Sequence, residues 1–378
     1  MAAFAVVSFH VWLYNLTGHV ARPSLGDTLA FEARVGLVFF FILSGYLIYR
    51  PFARAALGKS KPIATVAYLR RRAARIIPAY YVAIVGAFVL MATVPQIPGR
   101  RQISAEWLPA FFLFVQNYFP ETVLNLDGPT WTLVVEVAFY LLVPVLAALV
   151  LRHRATVRTQ IAMLAGMVAT GIGWNLLSHQ LDWSTIASHS PFPFLPYFAL
   201  GMLVAVIGEA GLWRPDRRAS VALALGGVAL ILANGYWHTH GNSLGMTMET
   251  FRDLPAAIGM TAILAAAALG TATGMGWLAS RPMVWMGEVS YGLFLWHVPL
   301  IVWLNGHDLL PGGFLIRLVI IWPLALAAGA TSWYLLERPL VRRERRLPRE
   351  SARGRDERSD VPSRGRQTVP RSSQPQPS

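Results

Sequence analysis

The 378-residue chain is 55% hydrophobic and only 14% charged, with a mean hydropathy of +0.47. So apolar and charge-poor a composition excludes an ordinary soluble domain and describes an all-α polytopic membrane protein. The formal charge of +14 does not outline a nucleic-acid groove, because residues 50–75 hold eight cations and no acid, and residues 338–378 hold twelve arginines against five acids. With no cysteine, disulfides, thiolate nucleophiles and thiolate metal sites are excluded.

Ten apolar runs follow one another, at about 1–16, 34–50, 76–94, 131–151, 159–177, 192–208, 219–235, 254–275, 283–304 and 314–337, each near the length that crosses a bilayer at 1.5 Å per residue. The first is short of about 20 residues, so further sequence upstream of it is expected. Every second loop is basic: 50–75, then 152–158, then Arg214 to Arg218, then Arg281, then the C-terminal tail. The loops between them carry acids such as Glu106, Glu121, Asp127 and Asp308. This alternation predicts an N-in, C-in topology. Counting Trp107 to Phe119 as a span would invert every later loop, so that run is expected to be interfacial or re-entrant. Residues 1–338 are the expected transmembrane domain. From 339 to 378 an Arg-, Ser- and Pro-rich composition, poor in apolar residues, predicts a disordered basic cytoplasmic tail.

Titratable side chains inside spans are costly and are functional candidates for that reason. Three stand out: His10, Glu136 and His297. The predicted topology sets each about 7 to 11 Å below the outer surface, so a base, an acid and a second imidazole are expected in one layer. Each has a structural alternative. A neutral imidazole can hydrogen-bond a backbone carbonyl, and a protonated or paired Glu can serve packing alone. At the other face, Arg72 and Arg75 are three apart at an expected helix start and share a face, as do Arg71 and Arg75, four apart. Such pairs suit phosphate oxygens, and a helix N-terminus would add to the field; basic residues that only orient the chain are the alternative. Trp12, Trp107, Trp131, Trp213, Trp277 and Trp303 fall near predicted interfaces as an aromatic belt. Ser44 with Gly45 reads as a packing position. No G-x-S-x-G elbow, Walker loop or H-E-x-x-H pair is present.

These segments, taken in order, resemble the acyltransferase family 3 membrane proteins. The likeness is carried by the His closing the first span, FFFILSGYLIYRPF, YLRRRAARIIPAYY, WTLVVEVAFYLLVP, WMGEVSYGLFLWHVPL and SWYLLERPL. The resemblance implies an integral membrane O-acyltransferase of the cell inner or plasma membrane that needs no metal. Its donor is cytoplasmic acyl-CoA, most commonly acetyl-CoA, and its acceptor a hydroxyl, commonly on a sugar of an envelope glycan, glycolipid or glycosylated metabolite. It further implies His10 as the catalytic histidine, Glu136 as the acidic residue of the fourth-span motif, and Arg72 and Arg75 as the R-x-x-R motif, with Arg71 beside them at the acyl-CoA site. His297 is expected at the acceptor pocket. The basic residue that the family carries eleven positions before its histidine would here precede Met1. A proton-coupled transporter or flippase without acyl chemistry is the competing expectation.

Overall fold

The structure is a computed structural model that describes residues 2–15, 24–95, 102–152, 156–181, 185–240, 253–270 and 275–344. Among these residues there is no strand. Helices are what such runs must form in lipid, where backbone amides and carbonyls have no water to bond and each segment must satisfy its own.

Among the described residues the α-helices are α1 (Ala2–Leu13), α2 (Leu25–Glu32), α3 (Gly36–Ala56), α4 (Thr65–Thr93), α5 (Leu108–Phe112), α6 (Trp131–Arg152), α7 (Val157–Gln180), α8 (Thr185–Ser188), α9 (Leu195–Ala210), α10 (Arg217–His240), α11 (Leu254–Leu269), α12 (Arg281–Gly306) and α13 (Phe314–Ser332). Among the described residues eight helical stretches are long and apolar enough to cross a membrane: 25–56, 65–93, 128–151, 157–178, 185–210, 217–238, 281–306 and 314–344. The apolar but shorter α1 and α11 stand where the first and eighth of the ten spans were expected.

Three differences from the expected boundaries matter. The second span starts early, because Ser24 and Asp27 form a reciprocal N-terminal cap that opens α2, and a tight turn at 33–35 carries the chain directly into α3. Helix α4 starts at Thr65, not near residue 76, so Arg72 and Arg75 lie two to three turns inside it, beyond the first turn where a helix N-terminus contributes to the field. The stretch after α13 makes one π-helical turn over Trp333–Glu337 and stays helical through Glu344. Residues 339–344 therefore extend the last helix rather than opening the tail; 345–378 lie outside the described residues. The Trp107 to Phe119 run folds into short turns around the five-residue α5, far too short to cross. It is tied to α4 by Tyr80 and Tyr81, whose hydroxyls donate to the Phe111 and Phe112 carbonyls at 3.1 and 2.8 Å.

Close packing is set by small residues. A Cβ at Gly45 would collide with the Phe198 carbonyl, and one at Gly201 with the Ile42 carbonyl, so α3 and α9 approach backbone to backbone. Helix α1 is wedged against α12 and α13, with Ala3, Val7 and Val11 buried beside Leu293, Ile301 and Ile321. That wedge brings His10 to α12.

Candidate active site

His10 and His297, 287 positions apart, are in contact. Nδ1 of His10 lies 2.8 Å from the Val6 carbonyl and 3.2 Å from Nε2 of His297, and Nδ1 of His297 lies 2.6 Å from the Phe294 carbonyl. A carbonyl only accepts, so each Nδ1 carries the hydrogen. His297 then offers its Nε2 lone pair to the Nδ1–H of His10. The remaining nitrogen, Nε2 of His10, is left as a free base. Carbonyl bonding, the structural alternative for both residues, is present; it is also what selects the basic tautomer.

His10 lines a cavity of about 460 Å³, together with Phe9, Arg34, Phe41, Trp131, Thr132, His189, Phe194, His238 and Asp253. His297, expected at the acceptor pocket, is fully buried and reaches this cavity's lining only through its contact with His10. Trp131, read as part of an interfacial belt, is a wall of the cavity. Its position is held by Asn117, whose amide donates to the carbonyls of Trp131 and His189 at 2.8 and 2.9 Å.

Glu136 does not join the imidazoles. Its Oε1 accepts from Ser44 Oγ at 2.7 Å and from Tyr140 OH at 2.6 Å. Thr132, Glu136 and Tyr140 recur every four residues, so they share one face of α6 about 6 Å apart. Thr132 faces the cavity, and Tyr140 lies under the Arg72 guanidinium at 5.6 Å, with Tyr68 at 5.8 Å. A polar row thus runs from beneath the cavity to the arginine cluster. Within that cluster Arg70 is paired to Glu344 at 2.8 Å. Arg71 and Arg75 are exposed and Arg72 half-buried, and among the described residues none of the three makes an ion pair, although Glu337 lies near enough to Arg75 to feel its charge. Arg50 and Lys59, by contrast, are engaged with Glu209, Arg50 at its carboxylate and Lys59 at its carbonyl.

A second polar cluster on the cavity wall escapes sequence reasoning. Arg34 Nη1 meets Asp253 Oδ2 at 2.5 Å, His238 Nε2 lies 3.3 Å from Asp253 Oδ1, and Asn234 donates to Glu32 at 2.8 Å and to Asp253 at 3.2 Å. Burial opposes the charge on Asp253, yet Arg34 and His238 together hold its carboxyl well below the usual carboxylate range. Asp127 corrects another reading. Taken from the sequence as a loop charge, it is buried, neither carboxylate oxygen has a hydrogen-bond partner among the described residues, and burial holds its carboxyl well above the ordinary range. Among the described residues no group of three His, Asp or Glu is placed to hold a metal ion.

A half-buried imidazole with its Nδ1 bonded to a backbone carbonyl thus lines a largely aromatic cavity inside a bundle of apolar helices, an arrangement that suits a general base. The chain belongs to the acyltransferase 3 domain family, matching it over residues 1–338. It is similar to the acyltransferase MdmB of Streptomyces mycarofaciens, at 29% identity over 336 residues covering 82% of this chain and 79% of that one. It is also similar to the O-acetyltransferase OatA of Staphylococcus aureus (strain NCTC 8325 / PS 47), at 23% identity over 327 residues, 81% of this chain but only 50% of OatA. Nodulation protein 10 of Rhizobium leguminosarum bv. viciae aligns at 24% identity over 90% of this chain and 91% of its own. No solved structure matches this chain. The protein is a multi-pass membrane acyltransferase, and the expectation of a transporter without acyl chemistry is set aside.

Proposed function

We propose that the protein moves an acyl group, acetyl in the first instance, from acyl-CoA on the cytoplasmic side to a hydroxyl of an acceptor held in the His10 cavity. The bundle would lie N-in, C-in in the cell inner or plasma membrane, with the arginine cluster facing the cytoplasm. Arg72 and Arg75, with Arg71 beside them, take the CoA phosphates. That none of the three forms an ion pair among the described residues supports this, since guanidinium groups already paired would have little left for phosphate. The pantetheine arm then follows the row Tyr140, Glu136, Thr132 towards His10, and Glu136 positions Tyr140 beneath Arg72.

In the reaction, Nε2 of His10 removes the proton of the acceptor hydroxyl as its oxygen attacks the thioester carbonyl. The C–S bond breaks, and the departing CoA thiolate takes the proton back from the imidazolium. The Val6 carbonyl holds His10 in the required tautomer, and His297 adds a second, longer bond to the same Nδ1–H. The sugar acceptor of an envelope glycan, glycolipid or glycosylated metabolite supplies hydroxyls of the right kind, and the aromatic cavity walls suit the apolar faces of such rings. The observation that carries this reading is that His10, whose Nδ1 is taken up by the Val6 carbonyl and His297, lines the cavity. The test is acetyl-CoA binding and acetyl transfer by purified protein. His10→Ala is expected to bind acetyl-CoA normally while transfer falls by about 10² to 10⁴, and Arg72→Ala with Arg75→Ala is expected to lose binding. Undiminished transfer by folded His10→Ala, or wild-type protein that binds no acyl-CoA, would overturn the scheme.

A further inference from the structure

Arg34 is held on three sides. Phe31 lies under its guanidinium at 4.6 Å, Asp253 takes Nη1 at 2.5 Å, and the α2–α3 turn fixes its backbone. Its Nε and Nη2 are buried and have no hydrogen-bond partner among the described residues. These two nitrogens form one edge of the guanidinium and present parallel N–H groups. Buried donors in folded proteins are rarely left unmade, because each orphan forfeits its hydration without a replacement bond. Arg34, Asp253 and His238 line the same cavity as His10.

Charge decides what the edge accepts. Among the described residues Arg34 is the fixed cation of the cluster; Asp253 pairs with it, and Asn234 bridges Asp253 to a second carboxyl, Glu32. The cluster therefore has no positive charge left for an anion, and a carboxylate or phosphate entering here would meet Asp253 and Glu32 at close range in low dielectric. A pair of neutral hydroxyl oxygens on adjacent carbons fits the fork and leaves the balance undisturbed.

We propose that Arg34, oriented by Asp253 and His238, is a specificity-determining residue that grips a neutral vicinal diol of the acceptor. The hydroxyl to be acylated then faces His10, and acceptors carrying an acid at this position are rejected. This rests on the acyl-transfer reading above but is tested without it.

Saturation-transfer NMR on the full chain in nanodiscs, with no donor present, would measure binding of p-nitrophenyl glycosides of glucose, galactose, mannose and xylose. The corresponding glucuronide and the monodeoxy analogues complete the panel. At least one neutral glycoside is expected to bind, and its deoxy analogue and a uronide at least tenfold more weakly. Arg34→Met alone would leave Asp253 unpaired and risks misfolding, so Arg34→Met with Asp253→Leu removes both charges together. This double variant is expected to lose glycoside binding tenfold while acetyl-CoA binding is unchanged. Binding of no neutral glycoside, equal binding of the uronide, or a double variant that binds as wild type would each overturn the assignment. Loss of acetyl-CoA binding by wild type would instead count against the acyl-transfer reading, so the two failures are separable.

Discussion

Replacing His297 separates positioning from chemistry. The Nδ1–H of His10 is shared between the Val6 carbonyl at 2.8 Å and His297 Nε2 at 3.2 Å. His297→Leu removes only the longer branch, and the shorter one keeps the tautomer. One such neutral hydrogen bond is worth about 1 kcal/mol, which converts to about a fivefold loss in rate. His10→Ala, in contrast, removes the base and is expected to cost at least a hundredfold. His297→Leu should therefore lower kcat by about five- to tenfold and leave KM for both substrates and acetyl-CoA binding unchanged. His297→Gln, whose side-chain oxygen can accept the same bond, should recover most of the loss. Steady-state kinetics on detergent-purified protein, with thermal melting to confirm folding, reads all three. A purely structural role would move stability and KM together and would not be rescued by Gln. Full kcat in His297→Leu, or equal defects in the Leu and Gln variants, would refute the dyad.

Glu136→Gln keeps an oxygen that accepts from Ser44 and Tyr140, so acetyl-CoA affinity should stay within about threefold; Glu136→Ala, which frees both hydroxyls beneath Arg72, should weaken it by about tenfold, as read by equilibrium binding. Asp127 is raised by burial. A carboxyl whose folded pKa lies above its unfolded value contributes fully only below the unfolded pKa, and each pH unit above it, up to the folded pKa, costs about 1.4 kcal/mol. Asp127→Asn should thus melt higher than wild type at pH 8 and no higher at pH 4; parallel melting curves across that range would disprove the account.

Much of this molecule is legible in one dimension because lipid imposes local rules. Span length, basic loops and intramembrane titratable residues depend only on neighbours in the chain, so the helical bundle is found by reading along it, and His10, Glu136, His297 and the Arg71 to Arg75 cluster are singled out as candidates in the same way. Motif order carried the family for the same reason. Helix boundaries were less readable, since the start of α4 depends on where the backbone leaves the apolar run, not on where hydropathy begins.

What only the tertiary structure decided is which of these groups touch. His10 and His297 meet because α1 is wedged against α12, whereas Glu136, expected in the same layer, turns to Ser44 and Tyr140. Arg34, Glu32, His238 and Asp253 look like helix-end charges in sequence, and Asp127 like a loop charge. Helix packing buries them, and burial is what turns an ordinary surface residue into one that must be paired, neutral or bound to something else.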